Sequence, residues 1–155
     1  RLLSFRNPFS MMSDEGYQLS QSLIAFGSGG IFGMGLGMGR QKYAYLPYPE
    51  SDFIFAIVGE DFGLLGCLIV VALFVALMLR GMRIAVRCSD KFGTLLAAGI
   101  TSSISVQAFL NMGVVVGILP TTGLPLPLFS AGGTSISITM AAIGILLNIS
   151  RESAI

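Results

Sequence analysis

Residues 92–119 and 124–149 contain no ionisable side chain, and residues 62–79 carry no charged one. A helix needs about 20 consecutive, predominantly apolar residues to cross the hydrocarbon core of a bilayer. Three stretches meet that length: 53–79, 92–119 and 124–149. Glu60 and Asp61 fall in the early turns of the first, which suits a helix that starts at an interface. Helices buried in a soluble protein would show a polar face, and these runs have almost none. The expected fold is therefore all-α and integral to a membrane. It is a fragment of a polytopic helical bundle with three transmembrane helices and a large, partly helical external loop. Composition agrees, with 54% hydrophobic and 11% charged residues, against about a quarter charged in soluble domains. The mean hydropathy is +0.83.

Several function classes drop out at this stage. Nine basic and eight acidic residues give a net charge of +1, and the basic ones do not cluster as a nucleic-acid binder requires, so no nucleic-acid partner is expected. The absence of histidine removes imidazole acid–base chemistry, Ser-His-Asp triads and imidazole metal sites. Cys67 and Cys88 are the two cysteines, too few for a tetrahedral thiolate site or a disulfide framework. The chain opens on Arg1 with no charged region leading into a short apolar core, so no signal peptide is visible. It reads as a fragment or processed piece of a larger membrane protein.

Loop charge predicts orientation. Between the first two spans, Arg80, Arg83, Arg87 and Lys91 stand against one acid, Asp90, and an excess of Lys and Arg marks cytoplasmic loops. The expected layout is an extracytoplasmic 1–52, a span at 53–79, a cytoplasmic loop at 80–91 and a second span at 92–119. An external loop at 120–127, a helix at 128–149 and a cytoplasmic tail at 150–155 complete it. Within 1–52, residues 16–26 are helical and amphipathic, with Gln18, Gln21 and Ser22 close to one face. Residues 27–39 then hold seven glycines, too many for a stable spanning helix, since each costs roughly 0.5–1 kcal/mol relative to alanine. Irregular backbone at membrane depth survives only where protein or a wet cavity covers it, so a loop dipping toward the membrane is expected. Its glycine spacing matches neither a dinucleotide-binding nor a P-loop pattern.

Polar residues are scarce enough to be informative. Ser103, Gln107 and Asn111 recur every four residues and share one helix stripe. They serve either interhelical hydrogen bonding or one wall of a substrate cavity. The third run opens with Leu124-Pro125-Leu126-Pro127 and then Ser130-Ala131-Gly132-Gly133. This is either a kinked helix start or a broken helix whose amides, near Ser130, Gly132 and Gly133, meet an anionic group. Asp52 precedes the first span, beside Glu50 and close in sequence to Arg40 and Lys42. It either caps the helix or acts as a general base, with Glu50 raising and the cations lowering its pKa. Glu60 is expected to order the helix terminus or pair with an external arginine. No carboxylate cluster of metal-ligand spacing is apparent beyond Glu50 and Asp52.

Read together, these segments form a series. It runs Leu3-x-Phe5-x-Asn7-Pro8, Gly16-Tyr17-Gln18-x-x-Gln21-Ser22, and Ala25-Phe26-Gly27-Ser28-Gly29-Gly30-x-x-Gly33-x-Gly35-Leu36-Gly37. Gln41-Lys42-x-x-Tyr45-Leu46-Pro47 and Asp52-Phe53-Ile54-Phe55-Ala56-x-x-Gly59-Glu60 follow. Gln107-x-x-x-Asn111, Pro120-x-x-Gly123-x-x-Leu126-Pro127, Ser130-x-Gly132-Gly133 and Ile149-Ser150-Arg151 close it. The series resembles the C-terminal part of the SEDS family (shape, elongation, division and sporulation), the family of FtsW, RodA and SpoVE. The resemblance covers essentially the whole chain. The forms Tyr17-Gln18, Gln41-Lys42 and Tyr45-Leu46-Pro47 look more like the FtsW division type than the RodA elongation type.

The resemblance implies a peptidoglycan glycosyltransferase of the bacterial cytoplasmic (inner) membrane, these spans being its last three. Its members polymerise lipid II on the outer face. They work with a class B penicillin-binding protein, among other divisome membrane proteins and membrane lipid. The family's essential aspartate maps onto Asp52, implying a general base. Substrate contacts are then expected from Arg40, Lys42, Glu50, Gln107, Asn111, Ser130, Gly132 and Gly133, with Glu60 supporting. No cofactor is required by the pattern, although a divalent cation such as Mg could neutralise the leaving pyrophosphate in place of Arg40 and Lys42. The chain departs from the family where its motif has Glu, His and Thr, here Tyr48, Glu50 and Ser51, and at Ala131, where it has Tyr. A lipid II flippase or a non-catalytic scaffold for the transpeptidase are the competing readings, and an elongation role the alternative pathway.

Overall fold

The computed structural model describes residues 14–35, 54–120, 122–129 and 132–153. Among them are four helices and no strand: α1 Asp14–Gly29, α2 Ile54–Arg87, α3 Lys91–Val115 and α4 Gly133–Ser153. Three are long and apolar enough to cross a membrane by length and composition: Ile54–Arg87, Lys91–Val115 and Gly133–Arg151. The expectation of an all-α membrane bundle with three spanning helices holds.

The α2–α3 pair is the backbone of the bundle, α1 packs mainly on α2, and α4 touches α2 and α3 more lightly. One core joins Ala25, Phe55, Cys67, Phe74, Ile104 and Met112, and Leu126 is fully buried in it. A smaller cluster of Ala85, Ala97, Leu146 and Ile149 ties α2, α3 and α4 together elsewhere along the bundle. Outward faces stay apolar: Leu68, Ile69 and Leu73 on α2 and Ile138 and Leu147 on α4 are all exposed. Such faces suit lipid or other helices rather than water.

Helix ends differ from the apolar runs, for local reasons. α2 continues past Leu79 to Arg87. Gly81 and Ala85, one turn apart, are buried; Gly81 lies against Thr101 of α3 and Ala85 clusters with Ala97. Packing thus carries the helix on, and Arg87 in its last turn complements the helix dipole. Asp90, expected as a loop charge, is the N-cap of α3: its Oδ2 accepts from the Gly93 amide at 3.1 Å. α3 stops at Val115, earlier than the apolar run, because Gly117 turns left-handed at φ 77 and the amides of Gly117 and Ile118 bond back to Val114 and Gly113 carbonyls. The third spanning helix, α4, begins only at Gly133, after an irregular stretch around Pro125 and Pro127 in which Leu128 adopts φ 69.

Candidate functional site

The largest departure from sequence expectation lies inside α2, at Gly63, whose φ 65 and ψ −159 are non-helical. That conformation is essentially restricted to glycine. An α-helical amide donates to the carbonyl four residues earlier, so Leu64 and Leu65 would ordinarily bond Glu60 and Asp61. Instead the Leu64 amide donates to the Gly30 carbonyl at 3.0 Å and the Leu65 amide to Ile31 at 3.3 Å. The orphaned carbonyls of Glu60 and Asp61 accept from the amides of Met34 and Gly35, at 3.0 and 3.2 Å. Met34 and Gly35, in turn, stand four residues after Gly30 and Ile31. The end of α1 and the middle of α2 have thus traded their i to i−4 partners, and no backbone group among these eight is left unpaired.

Only glycine permits the approach. A Cβ on Gly33 would meet the Asp61 carbonyl, and one on Gly63 would meet the Gly33 nitrogen and the Ile31 carbonyl. A Cβ on Gly29 would run into the Gly59 carbonyl, and one on Gly59 into the Phe26 ring. Phe26 also packs on Phe55, ring centroids 5.7 Å apart. The signal was present in the sequence as two Gly-x-x-x-Gly pairs, 29/33 and 59/63, a spacing that lets helix backbones touch. It was obscured by the other glycines of 27–39.

Glu60 and Asp61 flank this exchange and are 1% and 7% exposed, so neither lies in the open at an interface. The Asp61 Oδ1 is buried without a hydrogen-bond partner. Ser22, expected on the polar face of α1, is fully buried and donates to the Val115 carbonyl at the end of α3, at 3.1 Å.

The polar stripe of α3 meets the chain that follows it. Gln107 Nε2 donates to the Pro125 carbonyl at 2.9 Å and Asn111 Nδ2 to the Leu124 carbonyl at 2.7 Å. One helical turn separates the two amides, and together they lay the proline-rich segment against α3, with Leu126 and Pro127 buried. Gln107 also lines, with Ser103, Gly99 and Thr139, a groove of about 380 Å³ between α3 and α4. Gly132 and Gly133 are exposed at the start of α4, where the Gly132 carbonyl accepts from the Ile136 amide and Ser137 Oγ donates to the Gly133 carbonyl at 2.7 Å. A second groove, about 400 Å³ and wholly apolar, is lined by Phe26, Phe55, Cys67, Phe109, Met112 and Ile118.

Gln107 and Asn111 are therefore brought together on one segment, while Glu60 belongs to the α1–α2 exchange. Asp52, Arg40, Lys42, Glu50 and Ser130 lie outside the described residues. Among the described residues no three His, Cys, Asp or Glu side chains converge as a metal site would need.

A helical membrane protein with an interrupted helix and a polar stripe is the class this geometry defines. The family model described as "Cell cycle protein" (FtsW/RodA/SpoVE) matches residues 1–155, and the chain belongs to that family. It is 50% identical over 152 residues to the "Probable peptidoglycan glycosyltransferase FtsW" of Geobacter metallireducens, covering 98% of this chain and 40% of that protein. It is 48% identical over 153 residues to the "Stage V sporulation protein E" of Bacillus subtilis, covering 99% of this chain and 42% of that protein. A solved structure described as "Structural coordination of polymerization and crosslinking by a peptidoglycan synthase complex" superposes with a TM-score of 0.80 at 27% identity, over 99% of this chain and 41% of that one. The chain thus spans about two-fifths of the length of these relatives.

Proposed function

We propose that this chain is the C-terminal part of a peptidoglycan glycosyltransferase that polymerises lipid II during cell division, with Asp52 as its general base. The observation that carries the proposal is the family membership together with 50% identity to a relative named a probable peptidoglycan glycosyltransferase. The aspartate of the family motif is retained at Asp52.

In this reaction the 4-hydroxyl of the acceptor sugar attacks the anomeric carbon of the lipid-linked donor. Asp52 takes the hydroxyl proton, the bond to undecaprenyl pyrophosphate breaks, and the configuration inverts. General-base assistance of this kind contributes about 10²–10⁴-fold. Arg40 and Lys42 would neutralise the charge of the leaving pyrophosphate, a role that a divalent cation such as Mg would otherwise supply. Two membrane-anchored reactants confined to one plane gain much of the proximity that a soluble enzyme builds from contacts. The apolar groove lined by Phe26, Phe55 and Phe109 has the chemistry to lodge part of an isoprenoid chain.

Residues 1–52 belong on the outer face of the cytoplasmic membrane in this scheme, because Arg80, Arg83, Arg87 and Lys91 mark the opposite end of α2. A class B penicillin-binding protein is the proposed partner, which fits the likeness to a structure described as a peptidoglycan synthase complex.

The test uses the full-length parent purified with its transpeptidase and supplied with labelled lipid II, wild type beside Asp52→Asn. Polymer from wild type and none from a folded Asp52→Asn protein supports the enzyme and its base together. Equal polymer from both removes Asp52 from the mechanism. Lipid II movement across a vesicle without polymer would favour a flippase, and full division activity of Asp52→Asn in cells a scaffold. Repeating the wild-type assay with EDTA separates metal from side-chain neutralisation.

A further inference from the structure

We infer that the partner exchange between residues 29–35 and 60–65 is a positioning device for this reaction, with Gly33 and Gly63 as positioning residues. The inference rests on the assignment of Asp52 above. Its physical basis is that α2 is not one rod. The stretch 54–62 is cut from the rest of α2 at Gly63, because the Leu64 and Leu65 amides bond Gly30 and Ile31 rather than Glu60 and Asp61. What holds the carbonyl end of 54–62 is the glycine-rich turn, through the Met34 and Gly35 amides. Asp52 precedes Ile54, the first residue of α2, by two positions. The helical stretch that begins at Ile54, two positions after Asp52, is therefore tied at its other end to the turn at 29–35.

Hydrogen bonding alone does not choose this arrangement. If each element closed on itself, Leu64 and Leu65 would bond Glu60 and Asp61, and Met34 and Gly35 would bond Gly30 and Ile31. The same four amides and four carbonyls are satisfied either way. The choice falls to close approach: Gly33 against the Asp61 carbonyl, and Gly63 against Gly33 and Ile31. A methyl group at either position meets backbone, which cannot swing aside as a side chain can. Gly27 supplies a control just before the turn. It is helical, takes no part in the exchange, and a Cβ there meets nothing within 4 Å.

The experiment measures kcat and KM for lipid II polymerisation in the full-length parent with its transpeptidase, for Gly33→Ala, Gly63→Ala and Gly27→Ala. The expected result is a kcat about ten-fold or more lower for Gly33→Ala and Gly63→Ala, with KM within about two-fold, as misplacement of a catalytic group predicts. Gly27→Ala stays within about three-fold of wild type. A kcat unchanged in Gly33→Ala and Gly63→Ala, or equal losses in all three variants, overturns the inference. Should the two variants fail to fold, hydrogen exchange on the wild-type parent decides instead. Amides 34, 35, 64 and 65 should be protected together and lose protection together. Protected 64 and 65 beside freely exchanging 34 and 35 would mean that α2 closes on itself, and the device would not exist. Hydrogen exchange reads no catalysis, so it stands even if Asp52→Asn polymerises normally. In that case the assignment of Asp52, and with it the target of the positioning, is what fails.

Discussion

At the α1–α2 contact backbone binds backbone; along α3 two side-chain amides bind backbone. Both places solve the same problem, which is how to leave helical geometry in surroundings too apolar to hydrate the freed groups. The first works by what is missing, since glycines 33 and 63 let two segments of the chain come close enough to trade amides. The second works by what is present, since Gln107 and Asn111 reach out to the Pro125 and Leu124 carbonyls. One contact is therefore intolerant of any added atom. The other is intolerant of losing a donor but indifferent to modest changes of shape.

Substitutions sharpen that contrast, each read as the thermal unfolding midpoint of the full-length parent in detergent. Gly63→Ala should cost most, about 3 kcal/mol or more, because it adds a backbone clash to a conformation that only glycine adopts readily. Asn111→Leu follows at about 1–2 kcal/mol: Asn111 is 2% exposed and the Leu124 carbonyl loses its donor. Gln107→Leu should cost about 0.5 kcal/mol, since Gln107 is only half-buried and a bond of this kind between helices is worth about that much. Gly27→Ala should cost nothing or gain about 0.5 kcal/mol, because it is a helical glycine with no atom within 4 Å of an added Cβ. A Gly63→Ala protein as stable as Gly27→Ala would erase the distinction. So would an Asn111→Leu loss larger than that of Gly63→Ala.

Uncharged length made the three spans legible, and that signal hardly depends on tertiary context. The stripe of Gln107 and Asn111 was legible as a stripe, but not what it touches, because its partners are carbonyls and carbonyls have no sequence. For the same reason the break at Gly63 was hidden: Phe62 to Leu79 is uniformly apolar, and periodicity cannot show which carbonyl an amide chooses. The glycine content of residues 27–39 argues against a spanning helix and for a loop dipping toward the membrane. The structure puts the end of α1 at Gly29, within that stretch, and bonds the turn after it to α2. Asp90 was counted as a loop charge although its position three residues before Gly93 is that of a cap. Of the candidate site, Asp52 rests on resemblance, since spacing alone does not separate a catalytic carboxylate from a helix cap.

The trade of hydrogen bonds also divides the chain into places where length matters and places where it does not. Between Gly35 and Ile54 the polypeptide leaves one side of the contact and returns on the other, so added residues there enlarge a closed ring. Ring closure grows costlier only slowly, by about 0.6 kcal/mol for each doubling of length. One residue added between Gly30 and Gly35, or between Glu60 and Leu65, instead breaks the matched spacing on which all four bonds depend. Insertions and deletions among relatives should accordingly spare these two short stretches, and any that fall between them should lie clear of Arg40, Lys42, Glu50 and Asp52.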